Sequence, residues 1–377
     1  MNDDTTTEKA ELLRYMTRIR RDLHAMPELS SEEYRTSEYI AERLDELGLS
    51  YRKAHTGLIA DIKGREGRAT VAFRADFDAL PVIERTGLPF AATCGRMHAC
   101  GHDGHTAMLL GAAKYLSCHA PRNNVRLVFQ FGEEGDGGAV TMIEGGALED
   151  VDAIFAFHLC PELEKGCVGT NRATLFAGVA EFDVAFEGVS SHCAVREEGK
   201  DALAAGVYVA SRMERCVTGR PNTLLHVGKM TGGSARNIVA RDARLECSFR
   251  FFSESDRDPV LDGVRELVDE ADRTFGTRGE TVVRSVYPPL VNDPRAVDVL
   301  ESVTPLTEMP GRYTAEDFAF YLRKVPGAMA WLGIRDALHT SPLHSDTFDF
   351  DENVLSVGTD IFIRLAETQE LPKWQKK

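Results

Sequence analysis

Apolar and polar positions follow two rhythms along this chain. Over 8–24, Leu12, Leu13, Met16, Ile19 and Leu23 fall three or four apart with charges between them, which predicts a helix. A second helix carries more signals. Ser30 and Glu33 have capping-box spacing, Tyr34, Ile40, Leu44 and Leu47 make a stripe, and Gly48 stands where a helix stops. Short strands are predicted over 58–63 and 70–75, split by the turn-forming GREG of 64–67. Helices after His102 and Gly138 then alternate with strands over 125–131 and 153–157. Such alternation belongs to a layered α/β domain with a largely buried sheet.

The middle of the chain changes character. A strand over 179–187, a helix over 200–216, strands over 223–230 and 243–252, a helix over 259–275 and a strand over 280–287 follow in turn. The order β-α-β-β-α-β is that of a ferredoxin-like α+β unit. After Pro288 the α/β character returns, with an apolar run over 328–332 and a closing helix from Asp351. The expected fold is therefore two-domain α/β. Residues 1–177 and 289–377 would form one layered domain, with 178–288 inserted as a lid.

Composition narrows the classes. The 377 residues are 43% apolar and 27% charged, as in ordinary globular proteins, which excludes a disordered chain or a fibre. A net charge of −15 repels phosphate backbones and anionic membranes, so nucleic-acid and membrane partners are not expected. No run of 18 apolar residues and no basic, then apolar, leader is present, which gives the expectation of a cytoplasmic protein. Eight cysteines lack framework spacing, so most are expected to be small buried hydrophobes or metal ligands, not disulfides.

Chemistry concentrates in a few places. MHACGHDGHT (97–106) sets Cys100 two residues before His102, with Asp103 and His105 following. A thiolate and an imidazole on one turn can face a zinc, cobalt or manganese ion. FQFGEEGDGG (129–138) follows an apolar strand, so Glu133 and Glu134 emerge where α/β sheets place their sites. One of these carboxylates can hold a metal while its neighbour works on a water. His158 ends the run AIFAFH and His344 precedes the last helix. Taken singly, each histidine reads as an ordinary core or surface residue. Together, Cys100, His102, Glu134, His158 and His344 offer five mixed donors, one more than a structural zinc needs, with Glu133 to spare. That surplus points to a two-metal hydrolytic site. Asp76 and Asp78 close the strand over 70–75, and Asp76 suits a role orienting a metal-bound histidine.

These motifs resemble the amidohydrolase branch of the dinuclear-metal metallopeptidase superfamily that holds aminoacylases, hippurate hydrolases, auxin-conjugate hydrolases and carboxypeptidase G. The similarity runs through RRDLHAMPELS (21–31), FRADFDALPV (73–82), GRMHACGHDGHTAMLLGAA (95–113), EEGDGGAVTMIEGGAL (133–148), GGSARNIVA (232–240) and LHSDTFDFDE (343–352). Within the branch, LFAGVAEFDV, YPPLVND and TAEDFAFYLRKVPGAMAWLG look most like N-acetyl-diaminopimelate deacetylases. The resemblance implies two divalent metals on the five donors, Glu133 as general base and Asp76 as active-site aspartate. It implies that the lid supplies His192 to polarise the scissile carbonyl, often across a dimer, and that Asn237 and Arg250 hold the substrate carboxylate. It also leaves open a homodimer built through the lid.

Two departures from the family pattern bear on substrate. FQFGEEG replaces the usual FQPAEEG, and the lid reads SSHCAVREE (190–198) in place of GGHAAxPH. Arg196 and Glu197 thus put charge where a substrate side chain or acyl group would lie. The leading expectation is a metal-dependent hydrolase of an N-acyl amino acid. A dipeptidase or hippurate hydrolase with the same site, and a non-catalytic metal-binding scaffold, stand as alternatives.

Overall fold

The computed structural model describes residues 2–135, 137–369 and 371, with the backbone alone for 2–6. Asp136 of the glycine-rich segment and the outermost ends of the expected domain ranges lie outside the described residues. The chain divides into two compact units: 1–175, 291–310 and 317–377 form one, and 176–290 with 311–316 the other.

In the first unit, eight strands among the described residues build one mixed sheet. Their spatial order is Tyr51–Ala54, Gly57–Ile62, Asn124–Gln130, Thr70–Asp76, Ala153–Glu164, Gly327–Arg335, Val168–Thr170 and Leu306–Glu308. The central strands run parallel, Thr70–Asp76 pairing with both Asn124–Gln130 and Ala153–Glu164. They are buried along nearly their whole length, which explains their continuous apolar runs. Helices His102–Cys118 and Leu355–Glu367 pack on Thr70–Asp76, and Asn2–His24 packs on those two helices. Phe362 lies 4.8 Å from Phe73 and 5.0 Å from Phe157, ring centre to ring centre. Each such buried side chain contributes about 1.5–3 kcal/mol of apolar burial, so helix and sheet are joined by packing more than by propensity.

Local signals near the second helix were met only in part. The helix is Tyr34–Glu46, and Gly48 follows it with φ +68 as a stop. Ser30 does not cap it, since its hydroxyl donates to Asp78. Glu28 accepts the N–H of Thr36 at 2.8 Å and its hydroxyl at 2.9 Å, and so satisfies the helix start. Tyr34 is exposed, and the buried stripe is carried by Thr36, Ser37, Ile40, Ala41 and Leu44. Strand Tyr51–Ala54 had no clear sequence signal. Strand Ala153–Glu164 runs well past 157, which puts His158 inside a strand and not at its exit. All eight cysteines are free thiols, as expected, but Cys94, Cys118, Cys167 and Cys193 are exposed, so fewer are buried hydrophobes or candidate ligands than the sequence suggests.

The second unit is a four-stranded antiparallel sheet ordered Arg278–Tyr287, Gly178–Glu187, Asp242–Phe251, Thr223–Gly232. By chain order this is 4-1-3-2, the ferredoxin-like arrangement expected from the sequence. Asp242–Phe251 alternates buried and less buried positions, placing Leu245, Cys247 and Phe249 in a core with Val260 and Val264 of helix Glu254–Phe275. The first lid helix is shorter than expected, Ala202–Ala210, and a 3-10 turn Met213–Val217 follows it.

Candidate metal centre

The C-terminal ends of two adjacent parallel strands, Thr70–Asp76 and Asn124–Gln130, and the start of helix His102–Cys118 converge in the first unit. Gly101, with φ +87, makes the turn into that helix, and a Cβ there would come within 2.8 Å of Leu159. The backbone therefore approaches the His158 strand closely, in a conformation that favours glycine.

All five expected ligands meet here, together with Glu133. Donor atoms of Cys100, His102 and His158 lie within 4.8 Å of one another, as do those of Cys100, Glu134 and His344, and those of His102, Glu133 and Glu134. Cys100 belongs to a set on each side. Cys100 Sγ is 3.4 Å from His158 Nε2, and His344 Nε2 is 3.2 Å from Glu134 Oε1. His344 is half exposed with φ +64, and its N–H donates to the carbonyl of Ala99, tying it to the cysteine turn.

Hydrogen bonds fix which ring nitrogen each histidine presents. His102 Nδ1 donates to Asp78 at 3.0 Å and His158 Nδ1 donates to the Leu159 carbonyl at 2.8 Å, so both keep the Nε2 lone pair for the centre. His102 Nε2 is buried without a hydrogen-bond partner, and the buried Glu134 Oε1 faces the fellow donor His344 Nε2 at 3.2 Å. Such atoms are costly unless something else satisfies them. A cation fits that need, and the set of one thiol, three imidazoles and one carboxylate suits a borderline-soft divalent ion.

The electrostatics agree. Burial alone would lower the pKa of His102, but Asp76, Asp78 and Glu134 outweigh it and push it up to about 10. Burial, with the charges of Glu134 and Glu133, pushes the Cys100 thiol well up. Burial and His105 hold His158 well below the usual imidazole range. An ion that displaces protons from the thiol and the imidazolium relieves the crowded carboxylates.

The structure redistributes the roles expected of the two aspartates. Asp76 makes no hydrogen bond to His102, whose Nε2 is 3.8 Å away. It accepts from His105 Nδ1 at 2.6 Å and from Arg74 at 2.5 Å. Asp78 orients His102, and its Oδ2 also accepts the Ser30 hydroxyl at 2.6 Å and the Glu134 N–H at 2.9 Å. His105 is held by two bonds: the N–H of Leu159 donates to its Nε2 at 3.0 Å, which leaves its proton on Nδ1 for Asp76. The sequence reading missed Asp78, Ser30 and His105 in these parts. The available signal was that Asp78 follows Asp76 by two residues at a strand end, on the same side of an extended chain.

In the second unit, His192 and Asn237 are brought together: Ile238 bridges His192, and the Cys193 N–H donates to the Asn237 carbonyl at 3.0 Å. His192 Nδ1 accepts the N–H of Ala194 at 3.2 Å, so its proton resides on Nε2. Arg196 is exposed on the 3-10 turn Cys193–Glu198 that follows. Arg250 lies elsewhere, near the far end of strand Asp242–Phe251, where it bonds Ser248 at 3.1 Å and Glu181 at 3.3 Å. Roughly 26 Å of strand separates Asp242 from Arg250, at about 3.3 Å per residue. Within one unit, Asn237 and Arg250 do not meet on one carboxylate.

The family model for peptidase family M20/M25/M40 matches residues 72–368. The chain belongs to that family. The resemblance noted in the sequence is thus borne out, and with it the class of metal-dependent amide hydrolases. A protein named N-acetyldiaminopimelate deacetylase from Lactococcus lactis subsp. cremoris is 34% identical over 360 residues, 91% of this chain and 95% of that protein. One named N-acetyl-L-cysteine deacetylase from Bacillus subtilis is 36% identical over 351 residues, 89% and 84% of the two chains. Among solved structures, a Bacillus subtilis protein titled a dinuclear metal binding peptidase of the M20 family matches with TM-score 0.84 and 31% identity, covering 95% of this chain and 98% of that one. A crystal structure from methicillin resistant Staphylococcus aureus matches with TM-score 0.91 and 28% identity, covering 97% and 99%.

Proposed function

We propose that this M20-family chain removes an acetyl or similar acyl group from an N-acyl amino acid, with two divalent ions (zinc, manganese or cobalt) on Cys100, His102, Glu134, His158 and His344. The observation that carries the reading is the buried, unpartnered His102 Nε2 among the donor atoms of Cys100, His158, Glu134 and Glu133. Ions held there supply Lewis acidity to a water and to the acyl carbonyl. Glu133 takes the water's proton as it attacks and hands it to the leaving amine. Asp78 keeps His102 in the ligating tautomer, and Asp76 holds the Nδ1 proton of His105, whose Nε2 is taken by the Leu159 N–H, one layer further in. His192, protonated on Nε2, offers that proton to the carbonyl oxygen as charge builds on it.

Asn237 and Arg250 would hold the substrate carboxylate, Arg250 through its planar fork. Their separation along the lid strand supports a homodimer in which the two come from different copies. The exposed apolar residues Leu203, Val207 and Leu224 on a lid helix and an edge strand support the lid as its interface. Arg196 favours a substrate with a second ionised end, and the deacetylase names of the relatives support an acetylated diamino acid among the candidates. The free thiols support the cytoplasm as location.

The test is chelation followed by re-addition of zinc, manganese or cobalt, read as amine released from a panel of N-acetyl, N-succinyl and N-benzoyl amino acids and a dipeptide. Turnover should vanish and return. Undiminished turnover in metal-free protein would falsify the reading, and cleavage of the dipeptide alone would move the chain to the dipeptidases.

A further inference from the structure

The loop that carries Glu133 is pinned on both sides of that residue by buried carboxylates. The N–H of Glu134 donates to Asp78 at 2.9 Å, and the N–H of Gly132 donates to Glu33 Oε1 at 2.9 Å. Glu33 comes from far away in sequence, just before helix Tyr34–Glu46, and is 0% exposed. Its Oε1 also accepts the N–H of Ser31 at 2.8 Å, and its Oε2 accepts the Thr56 hydroxyl at 3.0 Å. Burying a carboxylate is expensive unless its oxygens are satisfied. Burial, with the charge of Asp78, pushes the pKa of Glu33 up to about 7, against the opposing pull of its donors. The helix start does not need this group, because Glu28 already satisfies it.

The neighbouring backbone is shaped around the same contact. Gly132 has φ +70, so the chain leaves strand Asn124–Gln130 through a residue with wide conformational freedom. Ser31 opposite has φ +66, and a Cβ at Gly135 would come within 2.6 Å of Ser30 Cβ. The segment over 30–33 and the loop over 132–135 therefore lie against one another. Gly132 is held on both sides of its peptide: its N–H donates to the Glu33 carboxylate, and its carbonyl accepts the N–H of Gly137 at 3.0 Å.

We propose that Glu33 is a positioning residue for the hydrolysis: its Oε1 fixes the backbone of Gly132, and thereby the place of the Glu133 carboxylate among the metal ligands. This rests on the reading of Glu133 as general base. Without the acceptor, Gly132 loses the restraint on its N–H, and misplacement of a catalytic group by an ångström costs on the order of 100-fold in rate.

The experiment compares metal-loaded wild type with Glu33→Met, Glu33→Gln and Thr56→Val. Metal content, melting temperature, hydrogen exchange of the amides over 131–135, and kcat and KM for an N-acetyl amino acid are read for each. Glu33→Met removes the acceptor. It should keep its metal and KM, speed exchange over 131–135 about tenfold or more, and lower kcat about 10–100-fold. In Glu33→Gln the carbonyl oxygen takes the place of Oε1 while the amide donates to Thr56, so exchange and kcat should return. Thr56→Val should lower the melting temperature yet leave exchange over 131–135 and kcat near wild type. Unchanged exchange over 131–135 in Glu33→Met overturns the proposal, and so does an equal fall of kcat in Thr56→Val. If Glu33→Met does not fold, Glu33→Asp, whose carboxylate is withdrawn by one methylene, carries the same comparison. Slow exchange in a wild type that hydrolyses no N-acyl amino acid would instead sink the functional reading, and exchange in the variants would still judge the pinning.

Discussion

Raising the pH should loosen the clamp that ties the N-terminal helix to the metal-site turn. His24 is buried, with Nδ1 2.8 Å from Asp103 Oδ2 and Nε2 3.1 Å from Glu84 Oε1. Asp103, next to the candidate ligand His102, also takes Arg20 Nε at 3.1 Å and the N–H of Gly104 at 2.9 Å. Only an imidazolium donates from both nitrogens at once. Burial by itself would lower the pKa of His24, but its bonds to Asp103 and Glu84 prevail and push it up from 6.5 to about 9. A histidine raised in the folded state contributes fully below its unfolded value and loses that contribution as pH rises through its folded value. The window is therefore pH 6.5 to about 9. At about 1.4 kcal/mol per pH unit, the protein should lose about 3 kcal/mol across it. For a unit of this size that is roughly 6–12 °C in melting temperature. The assay is calorimetric melting in half-unit steps from about pH 6 to about pH 10, at fixed metal and ionic strength, for wild type and His24→Gln. Glutamine carries no charge, so the variant should melt lower near pH 6.5 and the two curves should converge as the pH rises. Curves that run parallel across the window would show that His24 is not charged in the folded protein and would refute the argument.

Glu133→Gln should keep its metal and its KM while kcat falls ~10²–10⁴-fold, whereas Glu134→Gln should lose metal; elemental analysis beside steady-state kinetics separates them, and equal metal loss in both would end the division of roles. Asp78→Asn should weaken metal binding about 10–100-fold by loosening His102, measured by competition with a coloured chelator, and an unchanged affinity would remove Asp78 from that part. Arg196→Ala should reduce kcat/KM for a doubly charged acyl diamino acid by about 5–150-fold while sparing a plain N-acetyl alanine; equal effects on both would make Arg196 a bystander.

The sequence determined much of this protein because its informative patterns are local. Repeats of two and of three to four residues fixed the layered domain and the β-α-β-β-α-β insert, since each element must bury one face. The candidate site residues were legible because Cys100, His102, Glu133 and Glu134 stand in glycine-flanked clusters at element boundaries, and His158 and His344, ordinary singly, completed a set of five mixed donors. Other parts were decided only by the tertiary structure. Ser30 and Glu33 have the spacing of a capping box, but their side chains are claimed by Asp78 and Gly132, 48 and 99 residues away. Local spacing cannot register such a partner. Asp76 and Asp78 look equivalent in FRADFDALP, and only the place of His102 and His105 on the neighbouring helix turns one toward each. Arg20 and His24 read as charges between apolar positions, yet both are buried, because carboxylates from three later segments converge on them. A charge can sit in the core only where the fold brings its counter-charges together, and that is a property of the folded chain as a whole.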